Sequence, residues 1–231
     1  MKRFRVEIIV GIIAIIMFAL IAIFTFVIGP ANMDTVVYEF IASWRNNFTI
    51  SFFKIFTHIA GKIVTIALVI MLAFVLINRK KSTYKTYVKH EKWNNFLNLI
   101  MPWLIFALSI LLVTILFFIL KAVFARVRPV DWFLIYESGY SFPSGHTSTA
   151  VAMYGALALI INNSINKKWL KILVWIIFIS ITILVGISRI FLGVHYFTDI
   201  LGGLFLGILV ITISSIFIKV TNTKINLRND K

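Results

Sequence analysis

The chain has 231 residues, of which 61% are hydrophobic and 13% charged, and its mean hydropathy is +0.99. A soluble domain is about 45–50% apolar, so this composition excludes an ordinary water-soluble domain, which would expose a large apolar surface, and makes lipid the solvent for most of the chain. The absence of cysteine excludes disulfides, thiolate nucleophiles and cysteine-held metals. A net charge of +15 raises nucleic acid as a partner, but the cations lie in loops between apolar runs, where they set membrane orientation.

Six apolar runs follow in order: 8–28, 63–78 (with 55–61 leading into it), 96–120, 147–166, 172–188 and 200–218. A spanning helix needs about 20 mostly apolar residues, and backbone in lipid must satisfy its own hydrogen bonds, so each run is expected as a helix. The first run follows Lys2, Arg3 and Arg5 as a signal peptide would. It is longer than the ~7–15-residue apolar core of a signal peptide, and Gly29-Pro30-Ala31-Asn32 is a poor cleavage site, so it reads as a retained anchor. The expectation is an all-α bundle of six transmembrane helices forming a single domain over residues 1–231.

Placing the N-terminus in the cytoplasm puts 3 + 6 + 3 + 4 = 16 Lys and Arg on inside segments, against 7 outside. The positive-inside rule selects that orientation, and an even number of spans returns the C-terminus to the cytoplasm. Residues 33–45 read equally well as an interfacial helix, with Val36, Val37, Phe40 and Ile41 on one face, or as a plain loop. Residues 121–143 join the third and fourth spans and carry Trp132, Phe133 and Tyr136, which suit the headgroup level.

Three polar groups fall at the outer ends of spans. The first is Lys121 with Arg128-Pro129. Seven residues apart, the two cations share a face if the helix continues, and Pro129 disfavours helix at Arg128. Snorkelling explains such a pair by itself; a phosphate site, with Arg forking onto oxygens, is the functional reading. The second is Pro143-Ser144-Gly145-His146, just before the fourth span. Ser144 serves as a helix cap, while a helix N-terminus with a glycine and a hydroxyl also suits phosphate. The cap gives no reason for His146. The third is Ser188-Arg189, His195 and Asp199. An Asp bonded to one imidazole nitrogen fixes the tautomer and leaves the other free to attack, although a His–Asp pair capping a helix has the same spacing. Collected on one side of a membrane, these ionisable groups point to a functional site.

Lys121-x6-Arg128-Pro129, Pro143-Ser144-Gly145-His146 and Ser188-Arg189-x5-His195-x3-Asp199 resemble, in spacing and order, the three signatures of the type 2 phosphatidic acid phosphatase superfamily, including its phosphatidylglycerophosphatase B-like and undecaprenyl-diphosphate phosphatase-like branches. Phe197 stands where bacterial members often have Pro, outside the defining pattern. The resemblance implies a lipid phosphatase working through a phosphohistidine, with no metal or other cofactor. His195 would be the nucleophile, oriented by Asp199. His146 would be the acid for the leaving group, and Lys121, Arg128, Ser144, Gly145 and Arg189 would hold the phosphate. His58 and Lys62, near the outer end of the second span, are further candidates for lining the headgroup cleft.

The implied substrate is a membrane lipid phosphate such as phosphatidylglycerophosphate, phosphatidic acid or undecaprenyl diphosphate. The bilayer is the other partner, with no nucleic acid and no obligatory protein partner, and the expected location is the plasma membrane with the site facing out. His195 must be neutral and His146 charged, and Asp199 is expected to favour imidazolium at His195, so the rate should be bell-shaped in pH. A transporter would need a polar path, but the inner halves of spans three to six carry no ionisable residue before their basic ends. Haem ligation by His146 and His195 leaves the three cations unexplained.

Overall fold

The computed structural model describes residues 4–29, 31–59 and 89–229. Every regular element in them is helical. In chain order they are α1 (Arg5–Ile23), prolonged by a π turn (Phe24–Ile28), α2 (Ala31–Ala42), α3 (Asn47–Ile59), α4 (Lys89–Phe124), α5 (Gly145–Ser164), α6 (Lys168–Phe191) and α7 (Phe197–Asn229). Five of the six apolar runs thus lie in helices. The second run, at 63–78, lies outside the described residues.

Four of these helices contain a stretch long and apolar enough to cross a membrane: Arg5–Ile28, Met101–Phe124, Lys168–Phe191 and Phe197–Val220. Their outward faces carry large apolar side chains such as Ile12, Leu108, Phe118, Ile176 and Phe217, as lipid-facing surfaces do. α5 differs. Rich in Ala, Ser and Gly, it is the enclosed helix, with Ala150, Ala152, Met153 and Ala156 fully or almost fully buried. It packs on α4, α6 and α7, while α1 lies against α7.

Small residues allow this close approach, as is usual between membrane helices. A Cβ added to Gly203 on α7 would stand 2.6 Å from the Ser144 carbonyl oxygen at the start of α5. Polar contacts within this packing include the Ser109 and Ser214 hydroxyls at 2.6 Å, each also bonded to a carbonyl of its own helix, and Glu7 on α1 with the Ser215 hydroxyl on α7 at 3.3 Å.

Residues 33–45 prove mostly helical. α2 stands at the end of the bundle where α4 and α6 finish and α5 and α7 begin. Arg45, just beyond α2, donates to the Phe191 carbonyl and to the Trp132 carbonyl, and Tyr38 stacks on Trp132 at 3.9 Å. These bonds hold the 125–144 connection over the bundle end. That connection is also pinned by Leu134 N–H on the Leu192 carbonyl at 2.9 Å. The tight passage there needs Gly193: its φ is +73°, and a Cβ would run into the Trp132 carbonyl.

One local expectation is corrected. α4 stops at Phe124, because Ala125 takes φ +45°, so Lys121 and Arg128 do not share a helical face. Pro129 restricts a segment that has already left the helix, and Arg128 reaches the site from extended chain.

Candidate active site at one end of the bundle

The last turn of α4, the first turn of α5, the last turn of α6 and the turn entering α7 converge at this end. His195 lies in that turn, 1% exposed, beside Asp199 in the first turn of α7, which is fully buried. His195 Nδ1 is 3.3 Å from Asp199 Oδ2, and Nε2 is 3.2 Å from Arg128 Nη1. A guanidinium only donates and an ionised carboxylate only accepts. The ring therefore carries its proton on Nδ1, shared with Asp199, and turns the Nε2 lone pair toward the cations.

Burial, then Arg128, Lys121, Arg189 and His146, push the His195 pKa well below the ordinary 6.5. This agrees with the neutral His195 expected from its role, and burial and the cations outweigh the pull of Asp199 toward imidazolium. The other oxygen of Asp199 is taken by Arg126 Nη1 at 2.5 Å, and Oδ2 also accepts from Tyr196 N–H at 2.9 Å. The carboxylate is thus shared among His195, Arg126 and the Tyr196 N–H.

Arg128, 7% exposed, is held by the carbonyls of Gly139 and Val194 at 2.9 and 2.7 Å. Arg189 is 1% exposed. Its Nη1 donates to the Thr57 hydroxyl at 2.8 Å and Nη2 meets a Glu137 oxygen, while Nε has no hydrogen-bond partner among the described residues. Lys121 Nζ bonds the carbonyls of Tyr140 and Ser141, and it lies close enough to His195 to act on its charge.

Ser144 caps α5: its hydroxyl accepts from Thr147 N–H and Thr147 O–H at 3.4 and 3.1 Å, and its own N–H bonds the Asp199 carbonyl at 3.0 Å. Gly145 has the Phe117 ring where a Cβ would lie, 3.0 Å away. His146 follows, with Nδ1 3.7 Å from Glu137 Oε1. The eight residues expected to act on or hold phosphate, from Lys121 to Asp199, thus gather at this end. Ser188 is fully buried and bonded to the Val185 carbonyl at 2.6 Å, so it serves the helix. The His58 side chain and Lys62 lie outside the described residues.

The sequence reading missed Glu137, Arg126, Asp34 and Thr57. Glu137 Oε1 lies 3.6 Å from Arg128 Nη2, and the carboxylate also faces His146 and Arg189. An anion from the 125–144 connection thus sits among the cations of the site. In the sequence Glu137 is one of two acids, with Asp131, in a connection that also carries Arg126 and Arg128, so nothing there singles it out. Among the described residues, no group of three or more His, Asp or Glu side chains is arranged to hold a metal ion.

A buried histidine beside a buried carboxylate, ringed by cations at one end of an apolar helix bundle, defines a site suited to an anion. The PAP2 superfamily profile matches residues 102–222, more than half of the chain. The chain belongs to the PAP2 superfamily.

Its curated relatives include phosphatidylglycerophosphatase B of Bacillus subtilis, 46% identical over 93 residues, which are 39% of this chain and 45% of the relative. An undecaprenyl-diphosphatase of Sulfolobus acidocaldarius is 33% identical over 38% of this chain and 41% of its own. These matches span less than half of each relative's length. Among solved structures, the transmembrane PAP2-type phosphatidylglycerolphosphate phosphatase from Bacillus subtilis superposes with a TM-score of 0.73 at 26% identity, over 90% of this chain and 96% of that one. Aquifex aeolicus LpxE superposes with a TM-score of 0.56 at 25% identity, over 78% and 93%.

Proposed function

We propose that this protein is an integral membrane lipid phosphatase that transfers the phosphoryl group of a membrane lipid to His195 and then to water. The observation that carries this reading is the buried His195 ring, with Nδ1 3.3 Å from Asp199 and Nε2 3.2 Å from Arg128, among the cations Lys121, Arg128 and Arg189. Membership of the PAP2 superfamily and likeness to relatives named as lipid phosphatases support it.

In the first step Nε2 forms a bond to phosphorus while the bond from phosphorus to the lipid oxygen breaks. His146, protonated, gives that oxygen its proton. The positive charge that develops on the His195 ring is met by Asp199. In the second step water attacks phosphorus, its proton passes to His146, and the P–N bond breaks to restore neutral His195. Phosphoryl transfer needs chiefly positioning and neutralisation of the equatorial oxygens. Arg128, Arg189, Lys121 and the amides at the start of α5 supply that, which is why the reading assigns no metal. Substrate phosphate replaces the Glu137 carboxylate among the same cations.

The reading includes a single domain of six spans in the plasma membrane, with the site facing out. The inside-loop cations favour that orientation, and it places the site where a headgroup arrives while its chains stay in the bilayer. Phosphatidylglycerophosphate, phosphatidic acid and undecaprenyl diphosphate are the substrates to compare.

The test is phosphate release by detergent-purified protein from those three lipids with EDTA present, using His195→Ala as the control. Release that survives EDTA and falls by well over the roughly 10²–10⁴-fold of an acid–base loss in His195→Ala is expected. Quenching with labelled substrate should trap an acid-labile, alkali-stable phosphoprotein in His146→Ala. No release from any lipid, or full activity without His195, would refute the catalytic reading and leave lipid-phosphate binding or transport.

A further inference from the structure

Beyond the signature residues lies a buried charged network with no role in the steps above. Asp34, on α2, is 1% exposed, although it stands 164 residues before its main partner in sequence. Its Oδ1 accepts the Thr198 N–H at 3.0 Å, and its Oδ2 accepts the Thr198 hydroxyl at 3.0 Å and Arg126 Nη2 at 2.8 Å. Arg126 spans the gap: Nη2 on Asp34, Nη1 on Asp199 Oδ1 at 2.5 Å and on the Thr198 hydroxyl at 2.8 Å, with the guanidinium 4.0 Å over the Tyr196 ring. Asp34 thus caps the N-terminus of α7 from another helix, and Arg126 joins that cap to the carboxylate that orients His195.

We infer that Arg126 and Asp34 are positioning residues that set the protonation of His195 by dividing the charge of Asp199. The inference rests on the phosphohistidine reading. Two carboxylates and one guanidinium form a chain that ends at the ring. Arg126 withdraws Asp199 from the imidazole, so the ring remains neutral and nucleophilic. Asp34 tempers Arg126 and fixes its plane, so that Asp199 keeps enough charge to hold Nδ1–H and to meet the imidazolium-like ring once phosphorus is bound. A guanidinium is suited to this because its fork engages both acids in one plane.

The charged and titratable groups around His195 come from every neighbouring element: Asp199 from α7, Arg128 and Glu137 from the 125–144 connection, Lys121 from α4, His146 from α5, Arg189 from α6, and Asp34 through Arg126 from α2. Of these, only Arg126 and Asp34 act on the ring through the far oxygen of its own partner.

The two residues have opposite charge, so their removal must move the ring in opposite directions. Arg126→Met returns the Asp199 charge to the pair, which then binds a proton more readily. The acid limb of kcat/KM for lipid phosphate should move up by about one to two pH units. Asp34→Asn leaves Arg126 undivided on Asp199, and the limb should move down by roughly half a unit, the effect falling with distance. Arg126→Lys keeps the charge but loses the fork, so kcat should fall about tenfold while the limb stays within ~0.5 unit of wild type.

The measurement is the pH–rate profile of full-length protein in detergent, from about pH 4 to 9. Opposite shifts support the inference. Limbs that do not move, or that move together, overturn it and leave the network a helix cap. Should Arg126→Met fail to fold, Asp34→Asn alone decides: an upward shift or none overturns the inference. A wild type that releases no phosphate at any pH refutes the phosphatase reading instead.

Discussion

Gly203→Ala tests whether the packing of α7 on α5 sets the distance between the two histidines. The added Cβ would lie 2.6 Å from the Ser144 carbonyl oxygen, 3.1 Å from Thr147 Cβ and 3.3 Å from Ser148 N, all near the cap of α5. Relief to a bare 3.0 Å needs 3.0 − 2.6 = 0.4 Å, and ordinary contact at 3.4 Å needs 3.4 − 2.6 = 0.8 Å. No flexible side chain can yield, because the nearest atom is backbone, so the helices must separate. His146 follows that cap by two residues, and Asp199 precedes Gly203 by four. The separation also strains the Ser144 N–H bond to the Asp199 carbonyl, now 3.0 Å.

A displacement of about 1 Å at a reacting centre costs ~10²-fold, so a loss of about 10- to 100-fold in kcat is expected. The overpacking itself should cost about 1–3 kcal/mol of stability. Gly155→Ala is the control. There the Cβ meets side-chain atoms of Ile211, Cδ1 and Cγ1, rather than backbone, ten residues or about 15 Å along α5 from Gly145. Its kcat should stay within about twofold, since the atoms that must shift belong to a side chain about 15 Å from Gly145 and not to the backbone of the α5 cap. The assay is phosphate release alongside thermal unfolding in the same detergent. A Gly203→Ala protein that melts earlier but turns over at the wild-type rate would refute the reasoning, as would equal losses in both variants.

Three further outcomes follow from the site. Because the folded pKa of His195 is depressed, the unfolded chain binds the extra proton first as pH falls. Stability is therefore present above about pH 6.5 and is lost below it, as pH falls toward the folded value. Subtracting the melting profile of His195→Asn from that of wild type should isolate this slope, and a flat difference below pH 6.5 would contradict it. Glu137→Gln removes the anion among Arg128, Arg189 and His146. Inorganic phosphate should then inhibit at roughly three- to tenfold lower concentration, a modest effect for a partly exposed ion pair; unchanged inhibition would show that the carboxylate does not compete. Thr57→Val takes the hydroxyl from buried Arg189 and leaves a donor unpaired. Such a loss costs about 1–3 kcal/mol and should appear as a weaker KM or lower kcat; wild-type kinetics would show that Thr57 does not position Arg189.

The sequence by itself determined the solvent, the helical class and the residues of the signature site. These are local facts. Run length fixes what can span lipid, and Lys121, Arg128, Ser144, His146, Arg189, His195 and Asp199 each fall at the end of an apolar run. Their gathering at one end of the bundle follows once the runs are packed side by side. Ser144 as the cap of α5 was legible for the same reason, since capping depends on residues three apart.

Only the tertiary structure decided how the charges are shared. Asp34 and Arg126 are ordinary loop charges until α2 folds over the start of α7, which brings residues 164 positions apart to 3.0 Å. Glu137 became visible as the occupant of the phosphate cations only when the 125–144 connection was laid across the bundle and pinned at Leu192. The end of α4 at Ala125 was hidden behind the plainer signal of Pro129. The neutral His195 expected from its role agrees with the structure, but its cause was not legible, because a buried titratable group answers to every charge within a few ångströms, and most of those come from other helices. Spacing along a chain records the neighbours a residue has within its own helix. It holds no record of which acid a guanidinium from another segment will reach, and here Arg126 reaches both Asp34 and Asp199.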